Sequence, residues 1–240
     1  MYRVFNQKNP GKTMWITHAE SGRILSKTPR NQMDFLLIDG EHGRISYNEI
    51  GHLVSEIDEK TNAFVRVPAD VSGSLVCNIF DSGASGLLVS GVESRKTIQK
   101  IRNYANYPPN GTRSYSPYCP GNSYVKSEGN SPNLVGSIIE SALGFANFQG
   151  IVEDSDFIYY GAYDMMIDLG EKELYSAQSL KFLYEIGLLC RGLKIPLIAM
   201  ATSLREKVIL FECGVNVFCI GVDSDMLLGM QENRIKEMGI

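Results

Sequence analysis

Eight short apolar runs, separated by longer stretches with helical spacing, constrain this 240-residue chain more than any other feature. They are Thr13–Ala19, Asp34–Asp39, Ala63–Pro68, Gly86–Val92, Leu134–Glu140, Asp156–Gly161, Pro196–Thr202 and Asn216–Val222. Each is mostly apolar rather than strictly alternating, the pattern of strands covered on both faces in a parallel sheet. Between them, Ser46–Lys60 carries Ile50, Leu53, Val54 and Ile57 on one helical face. Ser94 is placed to cap a segment with Ile98 and Ile101 that ends before Pro108 and Pro109, and Ser176–Leu193, Ser203–Cys213 and Asp225–Met238 read as further helices. This pattern predicts one (β/α)8 TIM barrel domain over residues 1–240. A doubly wound open sheet is the alternative, but no GxGxxG turn supports it.

Charge and cysteine usage narrow the function classes. With 23 Lys+Arg against 27 Asp+Glu, the net charge of −4 argues against a nucleic-acid binder held by phosphate contacts. No apolar run approaches the roughly 18 residues of a membrane span, and MYRVFNQKNPGK lacks the apolar core of a secretory signal. Five cysteines, odd in number and without a CxxC pair, point to reduced thiols in the cytoplasm and away from a structural zinc site. Residues 108–132 break the rhythm with a run rich in Pro, Gly, Ser, Asn and Tyr. An irregular loop of that length is either functional, covering the barrel mouth or a neighbouring subunit, or a surface insertion.

In a barrel the chemistry belongs at the C-terminal ends of the strands. The second strand ends in Asp39-Gly40-Glu41-His42, two acids and a histidine where an apolar strand has no need of them. The alternative is a polar loop capping the next helix. Arg66 stands between Val65 and Val67, where a guanidinium must find an anion. It is either an electrophilic clamp on an enolate or carboxylate oxygen, or half of a buried ion pair. Glu140 and Asp164 follow the fifth and sixth strands, neighbours in a barrel, so the two could converge on Mg²⁺ or Mn²⁺ or could simply cap helices. Asp223 is expected to cap the last helix, and His18, His52 and Cys119 to be structural or exposed.

These residues resemble, in order, the HpcH/HpaI family of class II, metal-dependent pyruvate aldolases. DFLLIDGEH (Asp34–His42) carries the hallmark. FVRVP (Phe64–Pro68), DSGASGLLV (Asp81–Val89), NYPPNGTRS (Asn106–Ser114), IIES (Ile138–Ser141), YGAYDMMIDLG (Tyr160–Gly170) and IGVDSDMLL (Ile220–Leu228) follow. The resemblance implies a homo-oligomer, hexamer or trimer, whose last helix is exchanged with a neighbouring subunit. It implies cleavage or formation of 4-hydroxy-2-oxo acids, with pyruvate as the nucleophilic half and a divalent metal as cofactor, Mg²⁺ or Mn²⁺ before Co²⁺ or Zn²⁺. On it, Glu140 and Asp164 bind the metal, Arg66 holds the oxygen that becomes the enolate, and His42 is the base, oriented by Asp39 or Asp81. Backbone N–H groups of Ala162, Tyr163 and Asp164 hold the pyruvate carboxylate.

Three departures surround the expected substrate. Ile138 replaces a glutamine, Tyr163 replaces an alanine, and Arg113-Ser114 replaces Arg-Gly. They imply a changed acceptor or a changed reaction on the same enolate. The competing readings are a citrate-forming synthase on the same barrel, which joins an enolate to a second acid, and a non-catalytic relative whose site has drifted.

Overall fold

In the computed structural model, which describes residues 10–27, 32–57, 62–125 and 133–239, eight parallel strands close into a barrel in sequence order. The strands are β1 (Gly11–Ile16), β2 (Phe35–Asp39), β3 (Asn62–Pro68), β4 (Gly86–Ser90), β5 (Leu134–Ile139), β6 (Ile158–Tyr160), β7 (Leu197–Met200) and β8 (Val217–Val222). The helices are α1 (Ala19–Lys27), α2 (Tyr47–Glu56), α3 (Gly73–Asp81), α4 (Arg95–Ala105), α5 (Ala142–Ala146), α6 (Phe148–Glu153), α7 (Ala162–Asp168), α8 (Ala177–Leu193), α9 (Leu204–Glu212) and α10 (Asp223–Met238). All eight expected strands are present. The helix expected over Ser46–Lys60 is Tyr47–Glu56 with Ser46 in a capping box, and positions 58–60 lie outside the described residues.

Alternation along each strand sorts side chains into two cores. Leu36, Ile38, Val65 and Leu87 face the helices, whereas Phe35, Leu37, Phe64 and Leu88 face the barrel axis. The floor of the interior is aromatic. Phe64 meets Phe35 edge-on at 4.9 Å and Phe157 at 5.1 Å. The rings fit because Gly86 and Gly136 stand where inward side chains would otherwise be. A Cβ on Gly86 would lie 2.5 Å from the Phe64 ring, and one on Gly136 2.4 Å from the Phe157 ring. The same parity makes Asp39, Arg66 and Glu140 inward positions at the other end of β2, β3 and β5.

The barrel closes at the mouth through Asp223. Its carboxylate accepts the Thr17 hydroxyl at 2.5 Å and the backbone N–H groups of Thr17 and His18 at 3.0 and 3.1 Å, tying β8 to β1. Burial would raise this carboxyl, but the hydrogen bonds from Thr17, Ser21 and Ser224 together outweigh it and hold Asp223 below its ordinary value. Asp223 is the first residue of α10, so Val222 rather than Asp223 is the cap.

The irregular segment is partly in view. Residues 108–125 fold against the C-terminal end of α3, where Arg113 is buried between Phe80 and Tyr107 and donates to Asp81 at 2.5 Å. That end of α3 precedes β4, so it lies at the opposite end of the barrel from the mouth. The described part of the segment therefore does not cover the mouth; residues 126–132 lie outside the described residues.

Candidate active site

The mouth holds a pocket of about 210 Å³. Asp39, His42, Arg66, Glu140, Ala162, Tyr163 and Asp164 all line it, so seven of the eight expected site residues come together.

Asp39 and Arg66 form a buried pair in its wall. The Asp39 carboxylate takes the Arg66 Nε–H at 2.8 Å and Nη2–H at 2.5 Å in a two-toothed pair. Both side chains are buried, at 5% and 12% exposure. Burial pushes the Asp39 carboxyl up, but the Arg66 guanidinium and two backbone N–H groups pull it further, leaving it below its ordinary value. Arg66 is thus half of a buried ion pair, as one reading of the sequence had it, and also a wall of the pocket. The pair engages Nε and Nη2 and leaves Nη1 uncommitted.

The structure corrects how Asp39 relates to His42. Asp39 Oδ1 accepts the backbone N–H of Glu41 and of His42, both at 3.0 Å, which shapes the turn after β2. The imidazole is not held by Asp39. It stands 70% exposed, with Nε2 3.9 Å from Glu41 Oε2. Asp81, the other expected orienting acid, is the eighth site residue and is not part of this pocket. It ends α3 on the far side of the barrel and pairs with Arg113.

Glu140 is the electrostatic centre. Its Oε1 accepts the Gly91 N–H at 2.5 Å. Burial pushes its carboxyl up to about 7, against the pull of that N–H, with the charges of Asp164 and Glu41 adding to the rise and Arg66 opposing it. Gly161 lets β6 pass close behind it, because a Cβ there would fall 2.6 Å from the Glu140 Cβ and 2.9 Å from Oε2. Asp164, in the first turn of α7, faces the same space.

The donor set fits a hard divalent cation. No group of three His, Cys, Asp or Glu side chains gathers at one point among the described residues. Two carboxylates, Glu140 and Asp164, do line the same pocket, leaving the remaining positions to solvent and substrate oxygens.

Sequence reading missed the aromatic wall. Trp15 and Tyr159 line the pocket, and the Trp15 ring lies 4.7 Å from the Arg66 guanidinium carbon. Inward parity on β1 and β6 was the available signal, but both residues looked like ordinary core. Ile138, where the resemblance leads to a glutamine, is a buried apolar part of the same wall.

Comparisons with known proteins identify the family. The chain is 27% identical over 183 residues to a hydroxypyruvate/pyruvate aldolase of Rhizorhabdus wittichii, covering 71% of this chain and 69% of that one. It is 23% identical to a 2-keto-3-deoxy-L-rhamnonate aldolase of Klebsiella pneumoniae, covering 92% and 86%. Among solved structures, an HpcH/HpaI aldolase/citrate lyase family protein from Burkholderia cenocepacia superposes with a TM-score of 0.87 at 17% identity, over 99% of this chain and 98% of that one. The citrate synthase SbnG superposes at 0.80 with 22% identity, over 96% and 95%. The family profile of the HpcH/HpaI aldolase/citrate lyases matches residues 12–225, and the chain belongs to that family of carbon–carbon lyases.

Proposed function

We propose that this protein is a divalent-metal-dependent aldolase that makes or breaks the C3–C4 bond of a 4-hydroxy-2-oxo acid through the enolate of pyruvate. The observation that carries it is the convergence of Glu140 and Asp164 beside the fixed guanidinium of Arg66. Glu140 and Asp164 would hold the cation, Mg²⁺ or Mn²⁺ by the hardness of the donors, which supplies Lewis acidity toward the 2-oxo oxygen when bound.

The remaining chemistry belongs to the chain. In cleavage, His42 takes the proton of the 4-hydroxyl, C3–C4 breaks, and its electron pair passes into the C2–C3 enolate while C4 leaves as an aldehyde. Arg66, locked by Asp39, presents Nη1 to the enolate oxygen as negative charge develops there. Ala162, Tyr163 and Asp164, in the first turn of α7, offer backbone N–H groups to the substrate carboxylate. Protonation of C3 then gives pyruvate. The exposed imidazole suits a base that must exchange its proton with solvent between turnovers.

The synthase reading keeps one supporting observation, Ile138, which puts an apolar side chain where the resemblance leads to a glutamine.

The test is exchange of pyruvate methyl protons in D₂O, followed by NMR with Mg²⁺-loaded and chelated samples. Metal-dependent exchange that vanishes in Glu140→Ala is expected. Absence of exchange with metal bound would overturn the pyruvate-enolate reading.

The same reading extends to assembly and compartment. Beyond its first turn α10 is exposed, with Leu227, Leu228, Met230 and Met238 between 58% and 71% accessible. We place α10 against a neighbouring copy in a homo-oligomer, hexamer or trimer. Light scattering is expected to show an oligomer, and Leu227→Asp with Leu228→Asp to reduce it to monomers. The five unpaired cysteines accord with the cytoplasm. Among the described residues no helix is long and apolar enough to cross a membrane.

A further inference from the structure

Arg66 is held on its edge by Asp39, but a carboxylate pair leaves the tilt of the guanidinium plane free to rock about the shared axis. Glu41 Oε2 also approaches the same edge, 3.6 Å from Nε, and the constraint on the face of the guanidinium comes from the aromatic wall. Trp15 projects inward from β1 and lays its ring 4.7 Å from the Arg66 guanidinium carbon. The indole is itself fixed, because its Nε1–H donates to the Tyr159 hydroxyl at 2.9 Å. The two rings meet edge-on, with centroids 5.4 Å apart and planes at 64°. A flip of the indole would break the hydrogen bond and leave a buried hydroxyl short of a partner.

Tyr159 has no other evident task. It is 5% exposed, and burial raises its hydroxyl well above the ordinary tyrosine range. Trp15 can only donate, so the Tyr159 hydroxyl is the acceptor of the bond between them. The chain of contacts runs from β6 to β1 and ends on the face of Arg66.

We propose that Trp15 and Tyr159 form one positioning pair that sets the tilt of the Arg66 guanidinium and thereby the direction in which Nη1 meets the reacting oxygen. The inference rests on the reading of Arg66 given above. Neither residue is a catalytic acid or base.

Two conservative variants separate the pair from its surroundings. Tyr159→Phe removes one oxygen, and Trp15→Phe keeps a ring beside Arg66 without the N–H. Each is expected to lower kcat for pyruvate methyl exchange about tenfold, with KM for pyruvate within about twofold, as befits misorientation in the transition state. The double variant is expected to be no slower than the slower single variant, because the two act as a unit. Wild-type kcat in Tyr159→Phe, or losses that multiply in the double variant, would overturn the proposal. A merely structural role would lower the unfolding temperature and leave kcat per folded molecule unchanged.

A second readout does not depend on turnover. Trp15 is the sole tryptophan, so intrinsic emission reports this site alone. Arg66→Lys is expected to shift that emission differently in the wild-type and Tyr159→Phe backgrounds. An identical shift in both would refute the coupling even if the protein did not exchange pyruvate protons, an outcome that by itself would count against the aldolase reading only.

Discussion

The floor and the mouth of the barrel are built from the same inward positions of the same strands, yet they do opposite things. On β3, Phe64 packs edge-on between two other rings, and two residues later Arg66 carries a charge. On β2, Phe35 is an inward ring and Asp39, four residues later, an inward charge. The floor is apolar and filled by rings set over glycines. The mouth gathers Asp39, Arg66, Glu140 and Asp164 around one pocket. Burial of charge opposes folding unless it is paired. The floor therefore supplies stability, and the mouth lowers it in return for a preorganised field.

Damage to the floor should give the largest loss of stability with unaltered chemistry. Phe64→Ala is expected to cost about 3–5 kcal/mol in urea unfolding, with pyruvate exchange per folded molecule unchanged. Gly136→Ala, which places a methyl against the Phe157 ring, should cost about 1–3 kcal/mol. If either variant instead lost exchange while folded, floor and mouth would not be separable.

Breaking the ion pair of the mouth sharpens the contrast. Arg66→Ala strands the buried Asp39 carboxylate, and a loss of about 3–5 kcal/mol is expected together with loss of exchange. Replacing both partners, Asp39→Leu with Arg66→Met, should restore most of that stability and none of the exchange. Thermal unfolding beside the NMR assay decides it.

The smallest effect is expected at the rim. Tyr163 is 57% exposed. Tyr163→Ala should change stability by less than about 0.5 kcal/mol while altering KM for the aldehyde acceptor, measured in the condensation direction.

The two regions also differed in how far sequence revealed them. The strands were visible because both faces are buried and their runs are apolar throughout. The acids and Arg66 were visible because such runs have no structural need of charge at their ends. Helices α1, α3 and α5–α7, five to nine residues long, were missed. Trp15 and Tyr159 were missed because an apolar residue serving a site has the same composition and spacing as one serving the core. The link between Asp39 and the His42 ring failed for a geometric reason: Arg66 lies directly across the register from Asp39 and takes both carboxylate oxygens. Asp81 ends α3, which places it at the opposite end of the barrel from this pocket.

Glu140 is where the contrast between floor and mouth can be tested most directly. Its carboxyl is pushed from 4.5 up to about 7 in the folded chain. Between those values the folded state keeps a proton that the unfolded state has released, so stability of the metal-free protein falls as pH rises from 4.5 to 7 and then levels. The decisive measurement is urea unfolding of metal-free wild type and Glu140→Gln from pH 5 to 8, with pyruvate exchange measured on the Mg²⁺-loaded proteins. The account predicts that the variant is more stable at pH 8 by about 1–3 kcal/mol, loses the decline between pH 5 and 7, and exchanges no pyruvate protons. A variant that is less stable at pH 8, or that still exchanges with metal, would contradict it.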